Sequence, residues 1–336
     1  MMSLRHMVRG LENDSPANQL IALWEHDADT LKFWRASSNF VYMFERNGER
    51  HYLRFIHEED NTINNIRAEL DFMLFLLSQG YPAVAPVRST NGGLIETIST
   101  ENGLYYGVVF NQAKGRQIPL EEMSDIHFEQ WGQSLAALHL ISERYRPQTV
   151  EYRSWWDALN FVSSVLERYP GEAGLRQELE RLRRELSELP TGKGHTGLIH
   201  YDFETDNIFY DDELARYCAI DFDDSMHHWF MMDVAAAISD LYEQEGEEAR
   251  GRIGQFLAGY RSVKPLDEKY TSDPFIFQKF ADLYTFARLL RSTEGMDDSS
   301  TPKWALRLKD KLIGFCDRIR ERYRTASEPV LVDSKK

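Results

Sequence analysis

The stretch GLIHYDFETDNIFYDDELARYCAIDFDDSMHHWFMMD, from Gly197 to Asp233, gathers the side chains best suited to chemistry. His200, Asp202 and Asn207 stand as H-x-D-x-x-x-x-N, and Asp221 follows fourteen residues after the asparagine, inside AIDFDD. Transfer of a γ-phosphoryl group needs a carboxylate to hold the attacking hydroxyl and hard oxygen ligands to hold magnesium on a triphosphate. Asp202 suits the first task, and Asn207 with Asp221 the second. A metal-dependent phosphohydrolase centre built on His195, His200, Asp202 and Asp221 is the other arrangement, but no second His/Asp motif completes a binuclear set. Taken singly, H-x-D-x-x-x-x-N arises by chance and DFDD more often marks a solvated turn. Their order, and the elements around them, carry the weight.

Those elements divide the chain. From Leu31 to Phe110 the sequence has strand character: FVYMFE (Phe40 to Glu45) and HYLRFI (His51 to Ile56) flank Asn47-Gly48, whose tolerance of positive φ predicts a tight antiparallel hairpin. LIETI (Leu94 to Ile98) and LYYGVVF (Leu104 to Phe110) follow the same logic around Asn102-Gly103, giving four or five strands. One helix interrupts them, from about Thr62 to Ser78, with apolar residues at helical spacing. After Gly115 long amphipathic helices dominate: Glu121 to Arg144, Trp155 to Tyr169, Leu175 to Leu189, Asp233 to Gln244, Glu247 to Tyr260, Pro274 to Leu290 and Pro302 to Arg324. Short strand-like runs return only between Leu198 and Ile220, where they bring Asn207 and Asp221 to one edge of a small hairpin with Asp202 on the loop before it. This is an α+β, two-lobed architecture: an N-terminal helical segment (1–30), a small antiparallel lobe (31–112), a larger helical lobe (113–326) and a tail (327–336).

Composition narrows the function classes. The 336 residues are 42% hydrophobic and 28% charged, enough for two packed cores. Lys and Arg total 39 against 54 Asp and Glu, a net charge of -15 that repels phosphate backbones and anionic lipids and so excludes nucleic acid as a natural partner. Gathered at a cleft, the same surplus favours a cationic acceptor. Cys218 and Cys316 form no metal or disulfide pattern, and no apolar stretch reaches bilayer length; the expectation is a cytoplasmic protein without a membrane partner.

On these residues the chain resembles the aminoglycoside phosphotransferase and choline kinase-like family, which has the protein-kinase-like fold. LIHYDFETDN looks like its catalytic loop, IDFDD like its metal element, Asp233-Val234-Ala235 like its D-[LIV]-A triplet, and WGQSLAALH (Trp131 to His139) and FLAGYR (Phe256 to Arg261) like flanking helices. The resemblance implies ATP and Mg2+ as cofactors, Asp202 as base, Asn207 and Asp221 as magnesium ligands, Asp223 near a second magnesium, and His200 and Asp233 as supports of the loop. It places Arg54 where kinases carry a strand lysine and Glu69 where a helix supplies its ion-pair partner. No G-x-G-x-x-G precedes that strand; Ser37, Ser38 and Asn39 stand there instead, so hydroxyls, an amide and backbone N–H groups must cover the phosphates. Adenine would lie against Phe110, Asn111, Gln112 and Ala113.

Acceptor contacts are sought among Tyr201, beside the base in a position where many family members carry Gly, Glu204, Asp224, His227, His228 and Trp229. Adjacent histidines point apart on a regular backbone, which disfavours zinc at 227 and 228, and Trp155, Trp156, Trp229, Phe230 and Tyr284 read first as core. The acceptor is expected to be a small hydroxylated molecule such as an aminoglycoside, amino alcohol, homoserine or sugar. Two rivals stand beside this: a protein serine/threonine kinase, against which the missing APE-like triplet speaks, and a non-catalytic nucleotide-binding regulator.

Overall fold

The computed structural model describes residues 1–12, 14–147, 150–242, 244, 246–266, 275–296 and 301–325. The expected tail, and the ends of the helices expected at 233–244 and 274–290, fall partly or wholly outside these residues.

The smaller lobe is a six-stranded antiparallel sheet built from β1 (Lys32–Ala36), β2 (Phe40–Arg46), β3 (Glu49–His57), β4 (Pro86–Val87), β5 (Glu96–Thr100) and β6 (Gly103–Asn111). The Asn47-Gly48 hairpin forms as its residues demand, with φ of 54° and 75° at the two positions and Arg46 opposite Glu49. β4 and β5 share the free edge of β6, Val87 opposite Val109 and Glu96 opposite Gly107. That division starts β5 two residues later than the apolar run suggests, at Glu96 instead of Leu94.

Helix α3 (Ile63–Ser78) follows β3, and its N-terminus is capped by Thr62, whose side chain accepts from the Asn65 N–H. Two N-terminal helices, α1 (Leu4–Glu12) and α2 (Ser15–Ile21), cover the outer sheet face, where Met7, Leu20, Ile21 and Trp24 pack on Phe40, Phe44, Leu53, Phe55 and Val109.

The larger lobe contains α4 (Asp125–Ser142), α5 (Trp155–Glu167), α6 (Ala173–Ser187), β7 (Thr196–Ile199), β8 (Ile208–Asp211), β9 (Arg216–Ala219), β10 (Met226–Trp229), α7 (Phe230–Ala237), α8 (Ser239–Tyr242), α9 (Glu247–Val263), α10 (Phe275–Thr293) and α11 (Lys303–Thr325). α4 begins at Asp125 because a capping box between Ser124 and His127 fixes its first turn. β8 and β9 form the small hairpin expected from the sequence, while β7 pairs with β10, a strand the apolar pattern does not announce. Among the described residues no helix is long and apolar enough to cross a membrane.

α4 and α9 touch backbone to backbone. A Cβ on Gly132 would lie 2.0 Å from the Phe256 carbonyl oxygen, and one on Gly259 1.9 Å from that of Glu129. Neither main chain can yield without moving its helix, so Gly259→Ala should lower the unfolding free energy by about 2 kcal/mol or more. A denaturant titration checks this; an unchanged midpoint would show that the crossing is looser than drawn.

The clefts's far side is also tied. Asp60, in the turn between β3 and α3, accepts from Arg291 Nη2 on α10 at 2.9 Å and lies 2.6 Å from His6 Nδ1 on α1.

Candidate active site

The loop after β7 is held from beneath by one buried carboxylate. Asp233 Oδ2 accepts the His200 N–H at 2.8 Å and Oδ1 accepts the Tyr201 N–H at 2.5 Å. Oδ2 also meets His139 Nε2 at 3.0 Å, and His139 Nδ1 meets the Tyr260 hydroxyl at 2.7 Å. Burial pushes the His139 pKa down, which favours a neutral ring that donates to Asp233 through Nε2 and accepts from Tyr260 through Nδ1. The sequence motifs WGQSLAALH and FLAGYR thus each supply one member of a relay ending at Asp233. Their individual roles escape the sequence because the three residues are brought together only by tertiary packing. Trp131 adds an indole N–H to the Phe203 carbonyl at 3.2 Å.

Tyr201 has φ of 75°, the left-handed region that favours glycine, and the two oxygens of Asp233 fix this turn. Its ring stands edge-on to Tyr284 at 5.7 Å. His200 is buried; Nε2 donates to the Ile220 carbonyl at 2.8 Å and Nδ1 accepts the Asp202 N–H at 3.3 Å. With both nitrogens engaged by backbone, the imidazole is a brace for the loop and not a free ligand.

Asn207 sits at the mouth of the β8–β9 hairpin, where its carbonyl accepts the Ile220 N–H at 2.9 Å and so brings Asp221 alongside. Its Nδ2 donates to Asp202 Oδ2 at 2.9 Å, which leaves Oδ1 buried with no hydrogen-bond partner. Asp221, at φ of 62°, presents Oδ1 to Arg54 Nη1 and Oδ2 to Arg35 Nη2, both at 3.3 Å. An orphaned amide oxygen beside a carboxylate is a hard-oxygen donor set that fits Mg2+.

The acids repel one another. Burial and then Glu204, Asp224, Asp206 and Asp221 push Asp202 up to about 8. Burial, followed by Asp221 and Asp224, pushes Asp223 up to about 6. Burial is the largest influence on Asp224 and acts upward, but Arg288, whose guanidinium lies 2.7 Å away, the N-terminal amine and Arg153 together outweigh it and the pKa falls. Glu204 is pushed up to about 7 by burial, Asp206 and Asp240, and no ion pair or hydrogen bond engages its carboxylate among the described residues.

In the smaller lobe Arg54 Nη2 donates to Glu69 at 2.6 Å, the ion pair expected from the sequence, and its guanidinium lies 5.0 Å from the Phe110 ring centre. Asn39 reaches across the cleft, its Nδ2 donating to Asp223 Oδ2 at 2.7 Å. Ser38 lines a cavity of about 250 Å³ with Asp223, Asp224, Arg153 and Arg288, whereas Ser37 closes its turn through its N–H to the Asn39 carbonyl. Asn111, Gln112 and Ala113 border a separate cavity of about 620 Å³ under the β2–β3 turn; Phe110 is largely buried beside them.

Two of the expected acceptor contacts, His228 and Trp229, need correction because they are buried. His228 is fully buried against Phe280 and Trp229 is 3% exposed, packed on Trp155, because the end of strand β10 is covered on both faces where it runs into α7. Asp224 lines the cavity beside Ser38 and is paired there with Arg288 and, at 3.8 Å, Arg153. His227, earlier in β10, is exposed, and Glu204 and Tyr201 stay beside Asp202 in sequence with partial exposure. Of the aromatic residues read as core, Trp156 is the exception at 43% exposed.

Burial holds the His228 pKa down at about 3, so as pH falls below the unfolded value near 6.5 the unfolded chain takes up the proton first. Stability contributed by the neutral ring is complete above that value and is lost towards pH 3. Relative to His228→Phe, the natural protein should therefore lose roughly 2 kcal/mol between pH 8 and pH 5. Parallel unfolding curves at the two pH values test it, and a pH-independent difference would contradict a buried neutral ring.

Residues 30–266 match the sequence pattern of the family described as "Phosphotransferase enzyme family". The amicoumacin kinase of Bacillus subtilis (strain 168) is 22% identical over 250 residues, 71% of this chain and 73% of that protein. A homoserine kinase of Caulobacter vibrioides (strain NA1000 / CB15N) is 25% identical over 282 residues, 82% and 84% of the two chains. Among solved structures, the amicoumacin kinase hAmiN in complex with AMP-PNP, Ca2+ and Ami superimposes with a TM-score of 0.76 at 20% identity, over 94% of this chain and 97% of that one. A microcompartment-associated aminopropanol kinase does so with a TM-score of 0.67 at 21% identity, over 94% and 98%.

Proposed function

The chain belongs to the phosphotransferase enzyme family, and on that premise we propose that it transfers the γ-phosphoryl group of ATP, with Mg2+, to a hydroxyl of a small molecule that also carries an ammonium group. The observation that carries this reading is Asn207, whose amide donates to Asp202 and keeps a buried oxygen unpartnered beside Asp221. One residue thereby ties the carboxylate that receives a proton to the oxygen set that receives a cation.

In this reading the acceptor hydroxyl donates to Asp202, and its oxygen attacks the γ-phosphorus as the bond to the β-phosphate oxygen breaks. ADP leaves with that bond's electrons, and the hydroxyl proton passes to Asp202. Mg2+, held by Asn207 and Asp221, would neutralise charge on the phosphate oxygens. Arg54, fixed by Glu69, holds the α and β phosphates, and adenine lies against residues 110–113. Asp233 acts through the backbone of His200 and Tyr201 and positions the loop.

The acceptor's ammonium is supported by Glu204, whose carboxylate has no cation among the described residues and whose pKa is raised by burial and then by its acidic neighbours. Homoserine and aminopropanol, named for two of the similar proteins, are both amino alcohols. ADP release from Mg-ATP across a panel of amino alcohols, homoserine, aminoglycosides and uncharged polyols tests the reading. Turnover that requires an amine-bearing member is expected. Transfer of label to protein would move the assignment to a protein kinase, and nucleotide binding without turnover on any member would favour a regulator.

A further inference from the structure

Strand β1 does not pair regularly with β2. Lys32 lies opposite Met43 and Phe33 opposite Tyr42, but the ladder resumes with Arg35 opposite Val41 and Ala36 opposite Phe40, so Trp34 is an extra residue. In an unbroken strand Arg35 would share the face of Phe33, which meets the buried Tyr42 ring at 5.5 Å on the outer side of the sheet. The bulge turns it over. Arg35 now stands in one cross-strand row with Val41 and Arg54, on the face that looks into the cleft.

Both guanidinium groups in that row reach Asp221, each at 3.3 Å. They differ in what else they hold. Arg54 is buried and keeps Glu69 at 2.6 Å whatever becomes of Asp221. The Arg35 side chain is 42% exposed, and Asp221 is its one acid partner among the described residues. When Asp221 turns its oxygens to a cation, Arg54 remains paired and Arg35 is left without an anion. The anion that would accompany such a cation is a polyphosphate, whose charge the cation would offset.

We propose that Arg35, aimed by the bulge at Trp34, is a second phosphate-binding guanidinium that grips the β and γ phosphates of a nucleoside triphosphate. The proposal rests on the phosphotransferase reading and extends it. It also accounts for the absence of a glycine-rich loop: where Ser37, Ser38 and Asn39 offer few close backbone donors, a planar cationic fork supplies both charge and directed N–H groups.

Calorimetric titration of the full chain with Mg-ATP, Mg-ADP and AMP separates this from a structural role. Arg35→Gln should weaken Mg-ATP by about 10- to 100-fold, the scale of a lost charge-assisted contact, and leave AMP unchanged. Arg35→Lys, which keeps the charge and loses the fork, should recover part of the loss. Mg-ATP bound as tightly by Arg35→Gln as by the natural protein would overturn the proposal, as would equal losses for ATP and AMP. A natural protein that binds no Mg-nucleotide would instead remove the phosphotransferase reading, and this inference with it.

Discussion

Asp202→Asn should reduce kcat by about 10²- to 10⁴-fold, the usual worth of a positioned general base, while Mg-ATP affinity stays near that of the natural protein. The substitution keeps the shape of the side chain and an oxygen to accept from Asn207 Nδ2, so the loop has no reason to move. What it removes is the carboxylate proposed to receive the acceptor's proton. The same change should stabilise the free protein. Asp202 is pushed up to about 8, so between the unfolded carboxylate value near 4 and that value the folded state holds a proton the unfolded state releases. Stability from this group therefore declines as pH rises across that window, and an amide has no such decline. Thermal unfolding at pH 5 and pH 8 alongside single-turnover kinetics measures both effects. Acceptor-dependent turnover unchanged in Asp202→Asn would sink the mechanism.

Asp233→Ala should cost on the order of 3–5 kcal/mol, because it strands three buried donors at once: the His200 and Tyr201 backbone N–H groups and His139 Nε2. Catalysis should suffer beyond the fold, since Tyr201 holds a left-handed backbone conformation that the carboxylate fixes directly. The useful comparison is Asp233→Asn, which retains one acceptor oxygen but turns an NH2 towards a facing N–H, and should fall between. Urea unfolding gives the free energies, and kcat measured well below the transition gives the second effect. A loss of less than about 1 kcal/mol in the alanine protein would show that the loop is braced elsewhere, contrary to a network centred on a fully buried carboxylate.

Where a feature depended on neighbours in sequence, it was legible. The β2–β3 hairpin follows from Asn47-Gly48 and the small hairpin at 208–219 from two apolar runs, whereas the Arg54–Glu69 pair was expected from the family resemblance alone. Arg35 was not legible, because KFWRA has no alternation to show its face and a bulge is a property of two strands. His139 and Tyr260 sit in motifs that could be quoted but not interpreted, since their meeting at Asp233 spans 94 and 121 residues of chain. His228 and Trp229 misled for a related reason. Closeness to the expected metal element in sequence suggested the acceptor site, but strand β10 pairs with β7 and is covered on both faces at His228 and Trp229.

The two ends of β3 are both anchored to the larger lobe. At one end His51 lies opposite Asn111, where the chain crosses between lobes; beyond the other, Asp60 is clasped by Arg291. At about 3.3 Å per residue these anchors stand on the order of 20 Å apart. Tyr145 and Tyr152 of the larger lobe add hydrogen bonds to Asp71 and Ala68 on α3, so the small lobe is fastened along β3 and the helix that follows it. Strand β1 lies two strands from that line, at the edge of the sheet, and is held across the cleft by Arg35 on Asp221. An edge strand held by a partly exposed ion pair is the part of the sheet with most room to travel, and the side chain that travels with it is Arg35.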